Sequence, residues 1–232
     1  MRKILLTLAL AAAVTASARA QDLRRDIMLM DVPTAETLDH YSADFNARFY
    51  SDNSIMASMD FGVFPRLDLG FSIAAQQLLG DATPIRVLTP AMQVKYKIYD
   101  GSLYLPAIAV GYDGRAYMYD RAQDKYLQRQ KGAYAVFTRE VFIPNLEIHP
   151  GVNVSDFDAS KVFFFAGASF NIEDKAKLMF EWDNVHNINR SRINAGVRAY
   201  VSPAVEVDFM LRDVTEKNMF ERALQIRYKA NF

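Results

Sequence analysis

Cysteine is absent from all 232 residues. That excludes a disulfide framework, a thiol nucleophile and a thiolate metal site. Histidine is scarce: His40, His149 and His186 are scattered along the chain, too far apart for a histidine-rich metal cage. No metal and no cofactor is expected. An excess of one charge sign is missing as well, with 27 basic against 27 acidic residues. Nothing points to a nucleic-acid partner. Also missing, after the N-terminus, is any apolar run near the ~20 residues of a spanning helix. Later apolar stretches are broken by Pro, Gly or charge. The chain therefore stays soluble or enters a membrane as strands.

What is present begins with a targeting segment. "MRK" is a basic start, "ILLTLALAAAV" an apolar run, and "ARA" at 18–20 a small-residue cleavage site. Together they read as a secretory signal peptide over residues 1–20. Removal of Arg2, Lys3 and Arg19 leaves 24 basic and 27 acidic residues, net −3.

Two-residue alternation dominates the rest. In "RINAGVRAYV", Ile193, Ala195, Val197, Ala199 and Val201 share one face and Arg192, Asn194, Gly196, Arg198 and Tyr200 the other. "AVEVDFMLR" and "YSADFNARFY" behave the same way. A helix would need a period near ~3.6. Marking such runs predicts about twelve strands, over 40–50, 54–63, 67–75, 90–99, 103–112, 131–142, 145–154, 161–171, 176–183, 191–201, 204–212 and 220–232. Most approach the ~9–11 residues of a tilted bilayer-crossing strand.

The links alternate too. Turn-like pieces at 65–66, 100–101, 143–145, 173–175 and 202–203 alternate with longer polar ones at 76–89, 113–130, 155–160, 184–190 and 213–219. Only "SDN" at 51–53 breaks the trend. A soluble β-sandwich also alternates, but it has no reason to sort loop lengths by parity. Its strands average ~5–6 residues. The fold expected is all-β, an antiparallel transmembrane barrel over 40–232 with short periplasmic turns and longer outside loops. An even strand count leaves both ends of the barrel in the periplasm. Residues 21–39 precede it as a periplasmic tail or a plug, and the sequence leaves that open.

The last nine residues, "LQIRYKANF", keep the rhythm to the final position. In a closed barrel this strand pairs with the first, because an open edge in lipid leaves backbone groups unsatisfied. The ending resembles the terminal signature of bacterial outer-membrane barrels, an alternating strand closing on Phe. That resemblance implies that Tyr228 and Phe232 are read by the barrel-assembly machinery. Outer-membrane lipids are the other expected partner.

Alternation also predicts the lumen: Arg48, Asp60, Lys95, Lys97, Glu181, Arg192, Arg198, Glu206, Asp208, Arg212, Arg227 and Lys229 should face inward. The same charges on the lipid face would cost ~2–4 kcal/mol at mid-bilayer. Two readings stand side by side. The charges line a narrow passive channel, or they pair and fill the interior of a sealed, structural or partner-binding barrel. The nearly balanced signs favour the second. In loop 113–130, Tyr117, Tyr119 and Tyr126 suit an aromatic outer rim better than a glycan-stacking site.

An enzyme is not expected. The H-x-S pair His40 and Ser42 shares a strand face, a spacing that resembles outer-membrane phospholipase, but it lies at the periplasmic end. A lipid-modifying enzyme is the weakest reading. His149 suits an interior position near a turn, and His186 an outer loop.

Three stretches carry a family resemblance: "DIMLMDVPTAETLDHYSADFNARFYSDNSIMASMDFGVFPRLDLGFS", "PAMQVKYKIYDGSLYLPAIAVGYDG" and "INAGVRAYVSPAVEVDFMLRDV". They resemble the YjbH-like outer-membrane barrel family, from about Asp26 to Phe232. The resemblance implies a role in exopolysaccharide production, with polysaccharide-export components as partners. It carries over no catalytic residue. The expected protein is an outer-membrane barrel, a small passive channel or accessory barrel in envelope secretion.

Overall fold

The computed structural model describes residues 26–51, 53–78, 85–102, 104–120, 125–128, 131–155, 161–173, 175–185, 191–215 and 220–232. Fifteen strands run through them: β1 (Ser42–Tyr50), β2 (Ser54–Phe64), β3 (Leu67–Gln76), β4 (Arg86–Val87), β5 (Ala91–Tyr99), β6 (Ala107–Asp113), β7 (Tyr117–Asp120), β8 (Lys125–Gln128), β9 (Gly132–Glu140), β10 (Leu146–Val154), β11 (Phe163–Ile172), β12 (Ala176–Asp183), β13 (Arg192–Tyr200), β14 (Val205–Arg212) and β15 (Glu221–Asn231). Twelve of them, all but β4, β7 and β8, pair antiparallel in a closed ring. The seam is β1 against β15, in register from Ser42 opposite Asn231 to Phe49 opposite Leu224. Closure leaves no edge, which is what a sheet in hydrocarbon requires.

Period-2 geometry puts alternate side chains on opposite faces. Outward positions are apolar and exposed, among them Phe71, Ile73, Phe137, Phe164, Leu178, Phe180, Phe209 and Ile226. Inward neighbours on the same strands are polar and buried, such as Ser72, Lys177, Glu181, Asp208 and Arg227. An apolar belt outside and charge inside is the arrangement of a membrane barrel and the inverse of a soluble one.

The strands lie within a few residues of the predicted spans, with one larger difference. β6 begins at Ala107, because Ser102 N–H donates to the Leu105 carbonyl at 2.8 Å and Pro106 follows, so that link is a real loop. Tight turns hold at Pro65–Arg66, Asn145 and Glu173, where Arg66, Asn145 and Glu173 take positive φ. The ring therefore has a turn end, which also carries Ser42 and Asn231, and a loop end. In loop 113–130, β7 and β8 pair as a separate hairpin. In loop 76–89, β4 extends β3, and Leu88 then turns inward at the loop end, its N–H donating to the Ala74 carbonyl at 2.8 Å.

Candidate functional site

The lumen is occupied by the chain's own N-terminal segment. Residues 26–38 enter from the turn end, reverse at Met30–Asp31 and return to β1. Leu29 N–H donates to the Val32 carbonyl at 2.9 Å, and Thr34 N–H to the Ile27 carbonyl at 3.2 Å. Met28 and Pro33 form an isolated antiparallel bridge. Leu29, Met30, Val32 and Ala35 have no exposed surface. An irregular segment enclosed by protein must find partners for its backbone groups. Here barrel side chains provide them.

Glu181 on β12 holds the tip. Its Oε1 accepts from the amides of Met30, Asp31 and Val32 at 2.9, 2.8 and 2.7 Å. Its Oε2 accepts from Asn194 Nδ2 at 2.9 Å. Asp31 beside it is clamped through both oxygens, by Arg48 Nη1 at 2.7 Å and Arg212 Nε at 2.8 Å. At the turn end Asp26 meets Arg198 Nη1 at 2.6 Å, Lys177 Nζ at 2.5 Å and Lys229 Nζ at 3.4 Å. Glu36 on the returning arm meets Lys97 at 2.9 Å. Hairpin carbonyls are taken by further cations: Leu29 by Arg198 and Arg227 at 3.0 and 2.9 Å, Met30 by Arg48 at 2.6 Å, and Ile27 by Lys95.

The electrostatics follow from this crowding. Burial alone would raise the Asp31 carboxyl, but the Arg212 and Arg48 guanidiniums outweigh it and hold the group well below the usual carboxylate range. Asp26 is likewise pushed up by burial, pulled further down by Arg198, Lys177 and Lys229, and ends low. Charge-assisted contacts of this kind are the strong ones.

Packing agrees with the polar contacts. A Cβ built on inward-facing Gly196 would stand 2.7 Å from Met30 Sδ, and one on Gly167 2.8 Å from Leu29 Cδ1. Those glycines are seats cut for the hairpin. Around the tip, Leu29 and Met30 join Tyr50, Met56, Ala74, Leu88, Met179, Met210 and Ala223 in one buried apolar cluster.

The predicted lumen residues fall as follows. Arg48, Lys95, Lys97, Glu181, Arg198, Arg212 and Arg227 are buried and touch the hairpin. Asp208 is buried between Arg198 Nε at 2.7 Å and Arg227 Nε at 3.1 Å. Glu206 is paired with Lys229 at 2.6 Å. Asp60 is buried directly opposite Asp44. Arg192 is only half-buried, 3.7 Å from Asp183 near the loop end. Tyr228 is half-exposed on the outer face, and Phe232 is 80% exposed.

The histidines need one correction. His40 and Ser42 do not share a strand face, because β1 begins at Ser42 and His40 sits in the preceding turn. His40 stacks on Tyr41 with centroids 3.7 Å apart, and Ser42 Oγ donates to the Asp39 carbonyl at 2.6 Å. His149 is buried on β10, its Nδ1 2.9 Å from Thr138 Oγ1 and its Nε2 3.2 Å from Ser169 Oγ. His186 lies outside the described residues, and so do the side chains of Tyr117, Tyr119 and Tyr126.

Alternation placed Gly196 inside but not what it faces, and Asp26, Asp31 and Glu36, which fill the barrel, have no alternation to reveal them. One signal was available. Residues 26–39 contain four acids and no base.

Spaces remain beside the hairpin, and two of them are bounded by described residues. A polar vestibule of about 530 Å³ lies towards the turn end, bounded by Asp26 and Glu36 of the hairpin and by Lys97, Glu140, Glu147, His149 and Lys177 of the wall. A pocket of about 30 Å³, room for about one water, lies on the opposite wall near Asp60, Lys95 and Arg115.

No family model and no curated protein matches the chain. Among solved structures it is similar to the outer membrane protein Omp33 of Acinetobacter baumannii, with 11% identity, a TM-score of 0.43 and coverage of 85% of this chain and 100% of that one. It is similar to outer membrane phospholipase A from Escherichia coli, with 11% identity, a TM-score of 0.43 and coverage of 84% and 94%. A mutant porin of Rh. blastica gives 8% identity, a TM-score of 0.39 and coverage of 77% of this chain. The chain spans 56% of the length of that porin. The closed ring with its apolar exterior is the architecture of an outer-membrane β-barrel protein.

Proposed function

We propose that this protein is an exported outer-membrane barrel kept closed by its own N-terminal hairpin, acting as an accessory barrel in exopolysaccharide secretion rather than as an open passive channel. The observation that carries closure is the double tether of the tip: Glu181 takes three backbone amides, while Arg48 and Arg212 clamp Asp31. Breaking a buried pair on one side costs ~3–5 kcal/mol, because a charge is left unpaired. The apolar cluster around Leu29 and Met30 adds a stretch where water is disfavoured.

The polysaccharide role rests on the YjbH-like sequence resemblance, and polysaccharide-export components are the partners it implies. Cleavage after Ala20, a periplasmic turn end, and insertion through the assembly machinery by way of Tyr228 and Phe232 belong to the same reading. So does a function without catalysis. What favours it is that His40 stacks in a turn away from Ser42, and that His149 is enclosed between Thr138 and Ser169.

Single-channel conductance of refolded residues 21–232 in a planar bilayer tests closure. A folded, heat-resistant barrel that gives no steps is expected. Reproducible steps at several salt concentrations overturn closure and return the passive channel. Deleting the gene should lower cell-surface polysaccharide, and an unchanged amount removes that part of the reading.

A further inference from the structure

We propose that the lumen positions filled by the hairpin's carboxylates are binding sites for an acidic glycan chain, and that the hairpin stands in for that chain until it is displaced. The proposal rests on the reading of a closed envelope barrel and names what the barrel takes. The first observation is charge. The hairpin and its link to β1, residues 26–39, carry Asp26, Asp31, Glu36 and Asp39 and no base. Its acids are met by wall cations at two depths. Near the tip, Arg48 and Arg212 grip the two oxygens of Asp31 separately. Near the turn end, Lys177, Arg198 and Lys229 surround Asp26. Two carboxylate sites along one axis suit a chain with an acid on repeated units better than a single small acid.

Beside those sites the wall makes two further demands. Arg198, Arg227 and Lys95 take neutral oxygens, and Glu181 takes donors. Sugar hydroxyls donate and accept, so a hydroxylated polycarboxylate meets all of these demands. An acidic peptide meets them only if it folds into the same reverse turn, which costs ordering entropy. The vestibule provides the approach. At about 530 Å³ it lies within the ~300–1,000 Å³ of ligand clefts, and it reaches Lys177 and Asp26 from the turn end. A chain arriving there meets Lys177, whose ion pair is with the hairpin, before the deeper clamp.

The test uses the full mature chain with Asp26→Asn, Asp31→Asn and Glu36→Gln, in planar bilayers. These changes weaken the hairpin's hold, so intermittent conductance is expected. Polygalacturonate should block it at about tenfold lower concentration than dextran of matched length, as one charged contact predicts. Adding Arg48→Ala and Arg212→Ala should shrink that difference, and adding Lys177→Ala and Lys229→Ala as well should erase it. Equal block by dextran, a preference that survives loss of all four cations, or a folded variant that stays silent overturns the proposal. Stronger block by polyglutamate than by polygalacturonate overturns it in favour of an acidic peptide.

Should the triple variant fail to fold, Met30→Cys in the otherwise unaltered chain gives a second readout, since no native cysteine competes. Polygalacturonate should speed thiol labelling at the tip about tenfold over dextran, and an unchanged rate overturns the proposal. Steps from the unaltered chain count against closure alone. Their block by polygalacturonate or its absence then decides for or against the glycan sites.

Discussion

Glu181 and Met30 are 151 residues apart in sequence, yet the Glu181 carboxylate accepts the Met30 amide at 2.9 Å deep inside the ring. The same oxygen takes the next two amides, so one side chain fixes the hairpin's turn. Glu181→Ala should leave three buried donors without that acceptor. A loss of at least about 1–3 kcal/mol, the cost of one unsatisfied group, is expected, read as a lower denaturation midpoint together with new conductance steps. An unchanged midpoint and a silent bilayer would show that the tip is held elsewhere.

The glycine seats give a steric version of the same experiment. Gly167→Leu adds bulk where Leu29 and Val32 already lie against the wall. The ring should still close, because the added Cβ meets only side chains and the β11–β12 ladder keeps its backbone bonds. Protease or amide-exchange protection of residues 26–38 should fall while the barrel itself stays protected.

Opposite faces of β12 should respond in opposite ways. Phe180 is exposed on the outer face and Met179 is buried inside. Phe180→Arg should cost ~2–4 kcal/mol in refolding titrations into lipid vesicles. Met179→Leu conserves volume and should cost less than about 1.5 kcal/mol. The reverse ranking would invert the assignment of faces.

Acid should release the hairpin late. Asp26 and Asp31 are held below their ordinary range in the folded protein. Their stabilisation is therefore complete above the unfolded value near ~3.9 and is lost as pH falls through the lower folded values. Protection of the Leu29 and Thr34 amides, which donate to hairpin carbonyls, should be flat from about pH 8 to 5 and decline only below about pH 4. A decline near neutrality would contradict that order.

A substitution at Phe232 would separate seam closure from the recognition proposed for its side chain. Its N–H donates to the Tyr41 carbonyl at 2.8 Å, a bond that alanine at 232 leaves intact. Phe232→Ala should lower the yield of assembled barrel in cells severalfold while hardly changing refolding into detergent. Equal losses in both would make the side chain structural.

The sequence by itself determined the wall. Alternation is a local property of extended backbone, so Ile193 to Val201 or Leu224 to Phe232 announces its strand and its faces without knowledge of any partner. It also assigned Arg48, Glu181, Arg198, Arg212 and Arg227 to the interior, and their burial follows that assignment. The tertiary structure decided what the interior contains. Residues 26–38 have no period to read, because their backbone is satisfied by side chains on β1, β5, β12, β13 and β15 rather than by a repeating ladder. The balanced charges of the wall became meaningful only once Asp26 and Asp31 took their places among them. His40 shows the same limit on a smaller scale. Its spacing from Ser42 matched a strand, but the turn at His40 and Tyr41 delays the start of β1 to Ser42, two residues too late for the pair to share a face.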